Sequence, residues 1–242
     1  MASDQLAAEF VVACRPRDVV RAAGRYLANK LDDTGFAWLE RTTTLARKWN
    51  GLLQEVPLQP SSLNRATGTI TAQTLLNLRE PALAMWRRTN RDRCVTSGDM
   101  ICAHFLGYVS GRANGYVYGD FDDGELDLTD PAARIRHLDE FVAMFRIAVL
   151  PWFAEASDPD VAVSAPVADR TNVPAALAEW FASRGRPDLV RAYVDRYRAR
   201  RPATAEAIAV GAAIAATGQP LSVEHGGNLA VELGWVSVML IR

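Results

Sequence analysis

Alternation of apolar and polar residues is strongest between positions 66 and 78, ATGTITAQTLLNL. Thr67, Thr69, Thr71, Gln73 and Asn77 fall on one face; Ile70, Ala72, Leu76 and Leu78 fall on the other. That period of two, rich in β-branched residues, predicts a long half-buried strand. Three shorter strands are predicted before it, at 36–41, 44–49 and 52–58. Asn50-Gly51 is the strongest hairpin turn in the chain, and Pro57 and Pro60 place the end of the third strand at an edge or bulge. Short connections between four strands make an antiparallel meander the economical topology.

Helical spacing surrounds these strands. A short helix is predicted over 4–14, capped by Ser3. Over 17–31, Val20, Ala23, Leu27 and Leu31 form a stripe widened by Val19 and Tyr26, with Pro16 near the first turn. A helix is predicted over 80–89, carrying Leu83, Met85 and Trp86, and a strand of poor alternation over 100–108. The stretch from Gly107 to Gly124 reads as glycine-rich loop. Asp130-Pro131 then opens the longest helix, with Ile135, Leu138, Val142, Phe145 and Val149 recurring. Pro151 is expected to stop it, and its apolar face to roof the sheet. Residues 155–172 read as a linker or surface crossing, and helices follow over 173–183, 187–200 and 203–217. The expected fold is α+β: an antiparallel sheet of four to five strands covered by helices, with an all-helical C-terminal extension. The expected division is an α+β domain over 1–154, a linker over 155–172, and a helical extension over 173–242 packed on it. The apolar tail from Trp235 to Ile241 must pack on that extension or on a second copy of the chain.

Of the 242 residues, 49% are hydrophobic and 23% charged, enough apolar material for a sizeable core. The formal net charge of −1 gives no global reason to expect nucleic acid or an anionic membrane as partner. Arginine outnumbers lysine and alanine is abundant, a composition associated with GC-rich bacterial genomes. Cys14, Cys94 and Cys102 are odd in number and irregular in spacing, so reduced thiols in a cytoplasmic compartment are expected. No apolar run approaches the roughly 20 residues that span a bilayer. Val11-Val12-Ala13-Cys14 looks like a lipoprotein cleavage box, but no basic residue precedes it and Asp4 and Glu9 interrupt the segment.

Candidate chemistry is sparse. Cys102 and His104, with Cys94 upstream, offer soft ligands but only one tight pair, so no metal is expected. His137 is expected to be solvated or capping, and His225 to sit in a turn. The acidic run at 120–127 lacks the final glutamate of a calcium loop. Asp32-Asp33 and Asp122-Asp123 read as solvated pairs. The glycines of the loop lack dinucleotide spacing, and neither a P-loop nor a nucleophile elbow is present. No catalytic residue or cofactor is assigned. One candidate binding patch stands out, Trp86 with Arg87, Arg88, Arg91 and Arg93, suited to phosphate or an acidic protein face. Arg196, Arg198, Arg200 and Arg201 form a second cluster. A solvated helix face explains both equally simply.

Gly35-Phe36 at the first hairpin, Gln59-Pro60-Ser61-Ser62 after the third strand, the strand at 69–78, Leu150-Pro151-Trp152-Phe153 and Ser157-Asp158-Pro159 occur in an order that resembles a bacterial family, domain of unknown function 4304. The resemblance runs from about Arg17 to Asp158. It implies an α+β cytosolic domain without an established activity, some of whose members look like immunity or accessory partners of toxins. The leading expectation is therefore a non-enzymatic protein-binding module of that type. The alternative is a small-molecule-binding domain or enzyme with a site between the sheet and the loop from Gly107 to Gly124, with His104 inside it. A nucleic-acid role for the arginine clusters is the third reading, and the charge balance does not favour it.

Overall fold

The Asn50-Gly51 turn joins two paired strands in a computed structural model that describes residues 2–109, 125–222 and 224–241. Asn50 and Gly51 both take positive φ, 51° and 80°, the combination a two-residue hairpin turn needs to match strand twist. Two helices precede the sheet, α1 (Ala2–Val12) and α2 (Pro16–Lys30), and the strands β1 (Ala37–Leu39), β2 (Thr44–Trp49), β3 (Leu52–Pro60) and β4 (Thr71–Arg79) follow. Then come α3 (Pro81–Thr89), β5 (Met100–Phe105), the single turn α4 (Leu106–Val109), β6 (Glu125–Asp127), α5 (Arg134–Met144) and α6 (Leu150–Ala156). The C-terminal part contains α7 (Pro159–Ala162), α8 (Pro166–Arg170), α9 (Pro174–Ser183), α10 (Pro187–Arg200), α11 (Ala205–Ala216) and α12 (Leu229–Met239). The fold is α+β, with strand order β1-β2-β3-β4-β5 and β6 pairing antiparallel with β4. The hairpin register sets Trp49 against Leu52 and Leu45 against Val56.

The chain forms two compact units. The first comprises Met1–Asn77 and His104–Phe153. Here α2 packs across β1, β2 and β3, burying Val19, Val20, Ala23 and Leu27. The 130–150 helix was the expected roof, but α5 lies against α1, α2 and β6 instead. Its buried stripe is also rotated: Arg134, His137, Leu138, Phe141 and Met144 face inward, while Ile135 and Val142 are only half-buried. Phe36 closes this core with Phe145 at 5.1 Å, edge to face, and Phe153 at 5.9 Å.

Pro151 does not end the helix, which continues through it into α6. Residues Phe145–Val149 form a π-helical turn, and the Leu150 N–H donates to the Phe145 carbonyl five residues back. The wider turn absorbs the missing proline N–H and the crowding of its ring.

The predicted strand at 66–78 begins only at Thr71. From there the alternation holds, with Ala72, Thr74, Leu76 and Leu78 buried and the intervening residues half-buried. Thr67 and Thr69 belong to a turn in which Gly68 N–H donates to Arg65 and Arg65 N–H to Thr69. Residues 110–124, most of the expected loop from Gly107 to Gly124, lie outside the described residues. Gly107 itself falls in α4, where the predicted strand at 100–108 has already given way to helix.

The second unit comprises Leu78–Ala103 and Ala154–Arg242. Residues 78–103 therefore cluster with the C-terminal helices, a division that chain order did not suggest. The 155–172 stretch holds α7 and α8, whose Ala162, Val167 and Ala168 are buried. Helix α9 is buried along most of its length and packs on α3, α10 and α12. Helices α11 and α12 cross at a glycine pair. A Cβ on Gly211 would fall 2.0 Å from the Val231 carbonyl oxygen, and one on Gly234 2.0 Å from that of Ile208. The tail residues Trp235, Val236 and Leu240 are buried within this unit. Among the described residues no helix is long and apolar enough to cross a membrane.

Candidate functional site: a cleft floored by Arg134

The predicted patch does not assemble as one surface. Arg87 is buried, 3% exposed, and its Nε donates to Glu179 at 2.7 Å. It also donates to the carbonyls of Gly98, Met100 and Ala176. Glu179 is wholly buried and accepts from Val95 N–H and Thr96 N–H as well. This is an internal brace, not a docking residue. Arg93 donates to the Met239 carbonyl, and Trp86 is half-buried. Only Arg88 and Arg91 are exposed. Three of the second arginine cluster converge on Asp169, which Arg196 grips through both carboxylate oxygens at 2.7 and 2.6 Å, while Arg198 pairs with Asp195 at 3.7 Å. Arg200 lies 3.8 Å from the same carboxylate, and Arg201 donates to the Asp169 carbonyl.

His137 is buried rather than solvated, with Nδ1 2.8 Å from the Asp127 carbonyl. His104 is buried with its ring 6.0 Å from that of Trp152. His225 sits in a turn, Nδ1 2.8 Å from the Ser222 hydroxyl. Asp33 takes both oxygens to Arg146, whose guanidinium holds its carboxyl below the usual range. Among the described residues no three His, Cys, Asp or Glu side chains group as metal ligands.

The residue that sequence reasoning passed over is Arg134. It opens α5 yet is only 2% exposed. Of the five N–H groups on a guanidinium, three have partners. Nε donates to the Leu128 carbonyl at 2.7 Å, and Nη1 to the carbonyls of Phe10 at 3.0 Å and Ala13 at 2.8 Å. Among the described residues, both N–H groups of Nη2 have no protein partner and no carboxylate forms an ion pair with the guanidinium. Burial pulls its pKa below the ordinary guanidinium value, with Cys14 and Asp130 opposing that shift.

Two features of this arrangement disfavour stability. A buried cation that no carboxylate bonds directly, among the described residues, carries a desolvation penalty of up to several kcal/mol, which the nearby Asp130 charge offsets in part. Its position in the first turn of a helix sets it against the positive end of the helix dipole. Neutral carbonyls offset only part of this. An apolar side chain would suit the stripe better, so the guanidinium is a residue whose charge asks for a partner.

That partner has room. Arg134 lines a cleft of about 520 Å³ inside the first unit, within the range of small-molecule sites. Val11, Ala13, Ile70 and Pro131 supply apolar wall, and Cys14, Thr67, Thr69 and Thr129 supply polar groups. Local hydrogen bonds fix this shape. The Asn64 side chain pairs with both polar atoms of the Thr71 backbone, accepting from its N–H at 2.8 Å and donating to its carbonyl at 2.7 Å. Asn64 thus acts as an extra rung beside β4 and holds the 61–70 loop against it. Thr129 accepts from Ile70 N–H at 3.1 Å, and its own N–H is held by Asp127. Asp130 accepts from Ala132 N–H and so fixes a turn at 131–133; α5 begins after that turn, at Arg134, and not at Pro131 as the sequence suggested. The hydroxyls of Thr67 and Thr69 are exposed and take no protein partner among the described residues.

One sequence signal existed. Arg134 stands four residues before Leu138 and seven before Phe141, on the buried face of its own helix. No family model, curated protein or solved structure matches the chain, so the site is read from its geometry.

Proposed function

We propose that the protein is a non-enzymatic binding module whose ligand is a small anion with an apolar body, held in the Arg134 cleft. The observation that carries this reading is the buried guanidinium whose two Nη2 N–H groups take no protein partner, and which no carboxylate bonds directly, among the described residues. A carboxylate or phosphate oxygen at Nη2 supplies the missing counter-charge through a charge-assisted hydrogen bond, while the apolar walls take the remainder of the ligand. Three free thiols suit a reducing cytoplasmic setting.

Calorimetric titration with hexanoate, acetate, phosphate and the neutral hexanamide tests it. Hexanoate is expected to bind more tightly than acetate, and hexanamide not at all. Ligand at a hundredfold over its Kd raises unfolding stability by about 2.7 kcal/mol. Thr69→Trp, at an exposed position, fills the cleft without removing Arg134 and should abolish the titration. Equal binding of hexanoate and hexanamide, or binding of none of the three anions, overturns the reading.

A second reading keeps the immunity-type role implied by the family resemblance. Its support is the exposed pair Arg88 and Arg91 beside Met85, itself 59% exposed, which suits an acidic protein face. Co-purification with the products of neighbouring genes tests that role, and Arg88→Glu should weaken any complex found.

A further inference from the structure

Cys14 borders the same cleft, and its thiol is exposed. It donates to the Val12 carbonyl at 3.3 Å. The residue before it, Ala13, gives its carbonyl to Nη1 of Arg134 at 2.8 Å, and the Cys14 side chain lines the cleft with Arg134, near enough to act on its charge. The other two thiols differ. Cys102 is fully buried, and Cys94 is half-buried with burial pushing its thiol up to about 12. Thiolate is the reactive form, so near neutral pH both are poor nucleophiles.

We propose that Cys14 is a modification site for small anionic disulfides, selected by Arg134. The proposal rests on the cleft's being an anion site. The Cys14 thiol loses its proton to solvent, and the thiolate sulfur attacks one sulfur of the reagent, R–S–S–R. The new bond is Cys14 S–S–R, and the reagent's own S–S bond breaks. R–S⁻ leaves with the bonding pair and is protonated by solvent. Cys14 is oxidised and one half of the reagent is reduced, so atoms and electrons balance. A carboxylate on R then lies within reach of Nη2, and the adduct occupies the cleft. Thiol modification of this kind is reversible by excess thiol. It would close the site when low-mass disulfides accumulate and reopen it on reduction.

The test uses the full-length protein and two disulfides, dianionic 5,5′-dithiobis(2-nitrobenzoate) and neutral 4,4′-dithiodipyridine. One thiol per native chain should react rapidly, and peptide mass analysis should place the adduct on Cys14. The anionic-to-neutral rate ratio should exceed that of a free cysteine peptide about tenfold, the size expected for one charge pair a few ångströms apart in a partly wet site. Added salt should lower the anionic rate and leave the neutral rate unchanged. Arg134→Met should bring the ratio down to that of the peptide. If that variant unfolds, the neutral reagent will find all three thiols, and the salt dependence of the wild type then decides. A ratio equal to that of the peptide and insensitive to salt overturns the inference, as does an adduct on Cys94 or Cys102. Hexanoate binding to the reduced wild type is measured alongside. Binding without anionic selectivity at Cys14 sinks this inference and spares the cleft; absence of both sinks the two together.

Discussion

Removing Arg87 should cost the second unit a large part of its stability. The Arg87→Met variant keeps the stem of the side chain and deletes the charge. Glu179 is then left wholly buried with no cation, holding only Val95 N–H, Thr96 N–H and the Thr96 hydroxyl. The carbonyls of Gly98, Met100 and Ala176 lose their donor at the same time. Breaking a buried pair from one side costs about 3–5 kcal/mol, and Glu179→Leu should cost a similar amount by stranding the guanidinium. The double variant strands neither charge but still leaves two backbone N–H groups and three carbonyls without their side-chain partners. Because no charge is stranded, its loss should fall short of the sum of the singles by about 0.5–3 kcal/mol, the usual coupling between contacting residues. Urea unfolding followed by tryptophan fluorescence reads this directly, because Trp180 is buried one residue from Glu179. A loss below about 1 kcal/mol for Arg87→Met would refute the reasoning. So would strict additivity in the cycle.

Other outcomes follow from single contacts. Gly234→Ala should destabilise the α11–α12 crossing by at least 1–3 kcal/mol, roughly the overpacking cost, because the new methyl meets the Ile208 carbonyl at 2.0 Å; thermal unfolding checks it. Asn64→Ala removes both rungs to Thr71, which at about 0.5–1.5 kcal/mol per hydrogen bond should cost about 1–3 kcal/mol and speed amide exchange at Thr71. Stability should also fall at alkaline pH. Burial raises the Cys94 and Cys102 thiols and the Tyr26 and Tyr193 hydroxyls, with Asp139 adding to the effect at Tyr26. The unfolded chain releases these protons from about pH 8.5 for thiols and 10 for phenols, while the folded chain still holds them. Their contribution is thus complete below about pH 8.5 and declines above it. Urea midpoints that stay level from neutral pH to above pH 10 would contradict this.

What could be read from the sequence was local. The Asn50-Gly51 turn, the β2–β3 hairpin and helix α2 follow from residues near one another in the chain. The alternation of β4 also held from Thr71 onward. What stayed hidden depended on distant residues. Arg87 finds its partner 92 positions away, so its place in an arginine run made it look like surface. Arg134 interrupts an apolar stripe with a charge, and stripe counting passed over it in favour of Ile135. Its carbonyl partners at Phe10 and Ala13 lie more than 120 positions upstream. Pro151 stops an ordinary α-helix, and nothing in its neighbours announces the π turn that carries the chain past it. The candidate site was hidden for the same reason. It is assembled from the end of α1, the 61–70 loop and the start of α5, and no short motif spans those three.

The most direct measurement is the side-chain Nε–H resonance of Arg134, assigned by its loss in Arg134→Lys. Nε is buried and bonded to Leu128, so its proton should exchange slowly with water and give a resolved ¹H–¹⁵N peak. The account predicts that the peak moves saturably as hexanoate is added and stays in place with hexanamide. A peak that ignores both, or follows both alike, would mean that the guanidinium already has all the partners it needs.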